Sequence, residues 1–137
     1  MDNLFFDPTI KILHRSMDAA ALSQEVLSNN IANVNTPEFK RSEVSFRDQL
    51  QRALAGAPDI QGQRTHPSHI PIGGSPSLDE IKPVIVRESE TTLRNDGNNV
   101  DIDAEMVKLS QNSLEYGALS QLIRQKITMI RNAIIGR

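Results

Sequence analysis

Residues 27–41, L-S-N-N-I-A-N-V-N-T-P-E-F-K-R, mark the place where a long helical pattern stops and an irregular chain begins. Upstream, Ile10, Leu13, Met17, Ala20, Gln24, Leu27, Ile31 and Val34 recur at alternating steps of three and four. That spacing is the seam of a helix packed lengthwise on another helix. Thr36 precedes Pro37, whose ring pushes its predecessor out of the helical region, so the helix is expected to end between about Ala32 and Asn35. Asn33 or Asn35 then offers a left-handed C-terminal cap. At the other end Asp7 and Pro8 supply an N-cap carboxylate and a proline at the first helical position. The predicted N-terminal helix covers 8–34, on the order of 40 Å at about 1.5 Å per residue.

A second line, Ile12, Ala19, Leu22 and Val26, is continued at the same spacing by Asn29 and Asn33, so an apolar stripe becomes an amide stripe near the turn. A helix with two contact faces has two neighbours to satisfy. Asn29, Asn30, Asn33 and Asn35, followed by Pro37, admit two readings. One is a solvated helix end with turn-forming residues; the other is a subunit interface in which donor-and-acceptor amides meet a repeated protein neighbour.

A matching helix is predicted over 104–135, with Asp103 as N-cap and Glu105 in the first turn, where the helix dipole favours a carboxylate. Its seam reads Met106, Leu109, Ser113, Tyr116, Ser120, Ile123, Ile127, Ile130 and Ile134. Leu119, Leu122, Met129 and Ala133 lie about a quarter turn away, interrupted by Lys126, and both a core and an interface reading fit them. The assignment made from spacing puts Ile10, Leu13, Met17, Leu27 and Ile31 against Tyr116, Ile123, Ile127 and Ile130 within one chain. Leu119, Leu122 and Met129 are left for neighbouring subunits. Arg124, Lys126 and Arg131 form no dense basic face, which argues against binding along a membrane surface.

The insert between the helices, 35–103, reads in pieces. Ser45, with Asp48 three residues on, is a weaker analogue of a capping box, and Phe46, Leu50 and Leu54 follow at steps of four, predicting a short helix. From Gly56 to Pro76 the chain carries four prolines and four glycines, the composition of an irregular or mobile loop extending to about residue 82. His66 and His69 stand there as H-P-S-H; Pro67 between them and the lack of a nearby carboxylate pair favour an exposed loop over a metal site. Residues 83–94 alternate weakly, with Val84, Val86 and Glu88 on one side and Ile85 on the other, predicting a small hairpin or a lone extended arm. After the turn cluster N-D-G-N-N, Asp101 and Asp103 lack the ligand spacing of a calcium loop and read as caps and turn formers.

Composition narrows the function classes. A chain of 137 residues is one domain by length, and 38% hydrophobic residues with 4% aromatics and no tryptophan suit narrow helical stripes better than a bulky layered core. A net charge of -2 with scattered basic residues gives no patch for a phosphate backbone, so nucleic acid is not an expected partner. The absence of cysteine removes thiol catalysis and disulfides. No run approaches 18 apolar residues, so no membrane insertion is expected, and M-D-N-L-F-F-D-P lacks the basic and apolar regions of a secretory signal. His14, His66 and His69 are not spaced with a nucleophile or carboxylate dyad and no phosphate-binding glycine loop is present, so neither enzyme activity nor a cofactor is expected.

N-N-I-A-N-V-N-T-P-E-F-K-R resembles the N-terminal signature of the flagellar rod, hook and hook-associated axial proteins, whose subunits stack helically into the bacterial flagellum. N-N-V-D-I-D-A-E-M, from Asn98 to Met106, and N-S-L-E-Y, from Asn112 to Tyr116, resemble the C-terminal region of the proximal rod components of that family. Together these stretches cover both long helices and their flanks, while the middle, from about Leu50 to Lys82, adds nothing usable to the resemblance. The family usually carries glycine and then an aromatic after Thr-Pro, and this chain has Glu38 before Phe39. If that glycine holds a positive φ, Glu38 is strained there.

The resemblance implies a mainly α subunit whose terminal helices pair as an extended coiled-coil-like hairpin, with a short helix, an irregular loop and a small extended or β segment between them. It implies a structural part of the proximal rod that carries torque toward the hook and serves motility. Its partners would be the other proximal rod proteins, further copies of itself, the adaptor joining rod to membrane-embedded ring, and the flagellar type III export gate. It would lie in the rod, in the periplasmic space, after export without a cleaved signal. Phe5 and Phe6 read as a hydrophobic staple or a neighbour contact, and Phe6-x-x-x-Ile10 resembles a short export-gate signal. An isolated helical hairpin of this kind is marginal, and assembly adds the missing burial. The rival reading, a soluble coiled-coil adaptor or chaperone, accounts for the stripes and leaves both asparagine-rich motifs unexplained.

Overall fold

The computed structural model describes residues 7–54, 80–90 and 92–136. The expectations for Phe5, Phe6, the 56–76 segment and the His66/His69 pair lie outside these residues. The described chain runs α1 (Pro8–Ala32), β1 (Ser42–Ser45), α2 (Arg47–Leu54), β2 (Val84–Arg87) and α3 (Ile102–Ile135). It is mainly helical, with the two long helices packed on each other, as the apolar periodicity predicts.

α1 starts where Asp7 Oδ1 accepts the Thr9 N–H at 2.8 Å with Pro8 opening the helix. It ends at Ala32, but the expected left-handed cap is absent: Asn33 has φ -102° and ψ 14°. Its N–H is shared between the carbonyls of Asn29 at 3.2 Å and Asn30 at 3.1 Å. The left-handed residue comes later, at Glu38, with φ 58°. α3 begins one cap earlier than expected, because Asp101 rather than Asp103 takes the free N–H groups, those of Asp103 at 3.0 Å and Ala104 at 3.2 Å. Gly136, at φ 74°, closes it, donating to the Asn132 carbonyl.

Ser45 does not open α2; it is the last residue of β1, paired with Val84 in an antiparallel ladder that sets Ser42 opposite Arg87. The segment read as a hairpin or lone arm is therefore β2, and its partner lies on the far side of the 55–79 stretch, a pairing no local pattern announces. Phe46, between β1 and α2, is buried with Ala19 and Ile81, and Val44, Leu50 and Ala53 pack around them. Ile12 borders the same cluster. The second stripe of α1 thus finds its neighbour within the chain.

α1 and α3 run antiparallel, pinned by three polar contacts along their length. Asn30 Nδ2 donates to Glu105 Oε2 at 2.8 Å. Asn112 Nδ2 donates to the Ala20 carbonyl at 2.9 Å and to Gln24 Oε1 at 3.0 Å. Lys126 Nζ lies 2.7 Å from Asp7 Oδ2. Ile10, Leu13, Met17, Leu27 and Ile31 are half-buried along α1. On α3 the covered line is Glu105, Asn112, Leu119 and Lys126, a strict step of seven, accompanied by half-buried Leu109, Ile123 and Ile130.

That line is rotated from the seam read in the sequence. Tyr116 and Ile127, expected against α1, are 42% and 57% exposed, and Leu119, expected to face neighbours, is half-buried. The polar contacts cause the rotation: a buried carboxylate and amide must face their partners, and the cost of leaving them unpaired exceeds the gain from covering one more isoleucine. Leu122 and Met129 remain exposed.

Candidate functional site

The two asparagine-rich motifs meet at one junction where α1 ends, β1 begins and α3 starts. Helix termination leaves carbonyls without partners, and Asn98 supplies them. Its Nδ2 lies 3.0 Å from the Asn33 carbonyl, 3.1 Å from that of Val34 and 2.8 Å from that of Thr36. Arg94 Nη1 reaches the Val34 carbonyl at 3.1 Å. Asn98 Oδ1 accepts the Val100 N–H at 2.7 Å, so a fully buried side chain ties the exit of α1 to the approach of α3.

Asn99 does the equivalent for the sheet. Its Oδ1 accepts the Arg41 N–H at 2.7 Å and its Nδ2 donates to the Glu88 carbonyl at 2.9 Å. The side-chain amide stands in for a direct main-chain bond between Arg41 and Glu88, whose other bond, Glu88 N–H to Arg41 carbonyl at 3.0 Å, is present.

Asn30 closes the third side. Nδ2 donates to the Ser42 carbonyl at 2.8 Å and to Glu105, while Oδ1 accepts the Ser42 N–H at 3.0 Å. Glu105 is 1% exposed, and its Oε1 lies 3.6 Å from Arg41 Nη1 and 3.7 Å from Lys108 Nζ. A carboxylate taken from water needs such compensation, a hydrogen bond together with cations, to stay charged without a large penalty. Arg41 is shared further, with Glu43 and with Glu88, whose Oε2 is 2.7 Å from its Nε.

The turn beside this network is unusual. Glu38, in the position where the family pattern has glycine, does hold a positive φ, and its N–H donates to the Asp96 carbonyl at 2.9 Å. Opposite it Gly97 has φ 81°, and Lys40 Nζ donates to the Gly97 carbonyl at 2.9 Å.

The asparagines expected at a subunit interface therefore divide. Asn30 is buried and its amide is spent inside the chain, which corrects its assignment to an intersubunit surface. Asn33 is half-buried and used locally, donating to the Asn29 carbonyl at 2.8 Å and accepting from Thr36 Oγ1 at 3.2 Å. Asn29, Asn35 and Pro37 remain exposed. Sequence reading missed the roles of Asn98, Asn99 and Glu105, which look like turn and cap residues. One usable signal was present: Asn30 stands one helical turn beyond Val26 on a buried stripe.

Chemically the junction positions elements. Among the described residues no group of three or more His, Asp or Glu is arranged to hold a metal ion. No helix among them is long and apolar enough to cross a membrane. What faces outward is apolar surface on α3, with Leu114 at 76% exposure, Leu122 at 49%, Met129 at 54% and Ile134 at 69%.

Comparison with known proteins agrees with the junction's composition. Residues 12–40 match the family described as flagella basal body rod protein. The chain is 34% identical over 119 residues to the flagellar basal body rod protein FlgB of Borreliella burgdorferi, covering 85% of this chain and 88% of that protein. It is 31% identical over 131 residues to the protein of the same name from Bacillus subtilis, covering 96% of each. With the one from Salmonella typhimurium it shares 26% identity over 136 residues, 95% of each. Both motifs at the junction fall within similarity that spans nearly the whole chain, and this chain belongs to the FlgB family of flagellar basal body rod proteins.

Proposed function

We propose that the protein is a structural, non-enzymatic subunit of the proximal rod, which self-assembles by helix packing and transmits torque from the motor base toward the hook in flagellum-dependent motility. The observation that carries this is the apolar surface left open on α3. Leu122 and Met129 are exposed on one flank of the line pinned to α1, Tyr116, Ile127 and Ile134 are exposed on its other flank, and Leu114 is exposed on the face turned away from α1. Exposed apolar side chains on more than one face of a helix already packed on α1 suit contacts with several neighbouring chains, and family membership names the assembly.

The partners on this reading are other proximal rod proteins, further copies of this chain, the adaptor between rod and membrane ring, and the type III export gate. The subunit lies in the periplasmic part of the basal body after export without a cleaved signal. The junction's part is mechanical: it fixes the angle and register at which the sheet and α2 stand against the helix pair.

Deleting the gene tests this. Cells without the protein should lack filaments and assembled rods and should not swim, and supplying the intact gene should restore all three. Normal flagella in the deletion strain would end the rod reading.

A further inference from the structure

The two edges of the small sheet are treated differently. The outer edge of β1 is blocked, because the Asn30 amide takes both the Ser42 N–H and the Ser42 carbonyl. The phase of the ladder follows from Glu88 N–H donating to the Arg41 carbonyl and from the pairing of Val86 with Glu43. Alternation then directs the main-chain groups of Val84 and Val86 toward β1 and those of Ile85 and Arg87 outward. Among the described residues those outward groups form no hydrogen bond. Val84, Ile85 and Val86 are 49%, 52% and 51% exposed, so both faces of β2 are open and apolar. A bare, β-branched edge is a template for another strand.

We propose that β2 is a self-pairing edge, joining a second copy of this chain antiparallel about a two-fold axis at Val86. Ile85 of each copy then lies opposite Arg87 of the other, and their outward N–H and carbonyl groups form four hydrogen bonds. The flanks agree in charge, since this register sets Lys82 of one copy toward Glu90 of the other, twice. Both side chains are exposed and neither has an ion-pair partner among the described residues.

Neighbouring registers are disfavoured. A shift by one hydrogen-bonded pair in one direction puts Pro83, which has no N–H, opposite Arg87. The shift in the other direction sets Arg87 against Arg87, a like-charge pair. The contact is small, so the pair is weak and concentration-dependent. A two-fold contact closes on itself and does not propagate into a filament. The pair therefore belongs to the subunit before it enters an assembly, and it stands or falls separately from the rod reading.

The chain has no cysteine, so single-cysteine variants of the purified full chain report the register directly. Val86 opposite its own copy is a non-hydrogen-bonded pair with Cα atoms about 4.5 Å apart, within reach of a disulfide. Val86→Cys should cross-link under mild oxidation at least about tenfold faster than Val84→Cys, which faces Glu88 of the other copy. Adding Ile85→Pro removes an outward N–H and no bond to β1, so the cross-link should be lost with helical content unchanged. Lys82→Glu should slow cross-linking, and combining it with Glu90→Lys should restore it; this arm decides if the proline variant misfolds. Equal rates for the two cysteine variants, or cross-linking indifferent to the charge reversal, would overturn the proposal.

Discussion

Asn30 and Glu105, 75 residues apart in sequence, are joined by a 2.8 Å hydrogen bond in which both side chains are almost wholly removed from water. Asn30 is the hinge of the junction because the same amide also brackets Ser42. Asn30→Ala should leave Glu105 and Ser42 short of partners and cost about 2–3 kcal/mol. Asn30→Asp should be worse than alanine, since it sets a carboxylate against a buried carboxylate and loses the donor. Thermal unfolding of both variants checks the order; an aspartate variant as stable as alanine would contradict this account.

Glu38 and Gly97 carry positive φ on facing turns, and a β carbon built on Gly97 would meet Glu38 Cα at 3.6 Å, an ordinary contact. The cost at both positions is therefore conformational. Glu38→Gly should stabilise the fold by roughly 1 kcal/mol, the left-handed penalty less the added freedom of the unfolded chain. Gly97→Ala should destabilise it by about 1 kcal/mol. Denaturant midpoints moving in opposite directions would bear this out.

The Lys126 hydrogen bond, followed by the Thr9 N–H, holds the Asp7 carboxyl well below the usual aspartate range, at about 2. Because the folded value is depressed, its stabilising contribution is full above the ordinary value of about 4 and is lost as pH falls through about 2. The stability difference between the native chain and Asp7→Asn should be constant from neutral pH to about pH 4 and shrink below it. A difference that persists unchanged at pH 2 would show that the ion pair is not its source.

The exposure pattern separates the faces of α3. Ile123 is half-buried beside the pinned line, whereas Leu122 and Met129 are exposed. Ile123→Asp should weaken the subunit's own helix pairing and lower its steady-state level, because it sets a charge in a partly covered apolar seam without a partner. Leu122→Asp should leave a stable, exportable subunit that fails to enter rods. Measuring cellular, secreted and rod-incorporated protein for both variants checks the division, and equal loss at every step for both would refute it.

Periodicity and punctuation determined a good deal without any tertiary information. Steps of three and four placed both long helices, Asp7 with Pro8 marked the start of α1, and Thr36-Pro37 bounded its end, because these are local constraints of backbone geometry and helix capping. The asparagine-rich motifs carried the resemblance to the family, and Asn30, Asn98 and Asn99 within them are buried and hydrogen-bonded at the junction. Tertiary structure alone decided which way α3 turns. Three of the four residues on its pinned line, Glu105, Asn112 and Lys126, are polar, and a search for apolar seams passes over them. Their partners, Asn30, Ala20 with Gln24, and Asp7, lie in the other helix. The pairing of β1 with β2 was hidden likewise, because two four-residue strands separated by a long segment carry no local signal of each other. Propensity acts over a few residues, while a buried polar group is satisfied by whatever the fold brings to it, so only the assembled chain determines its partner.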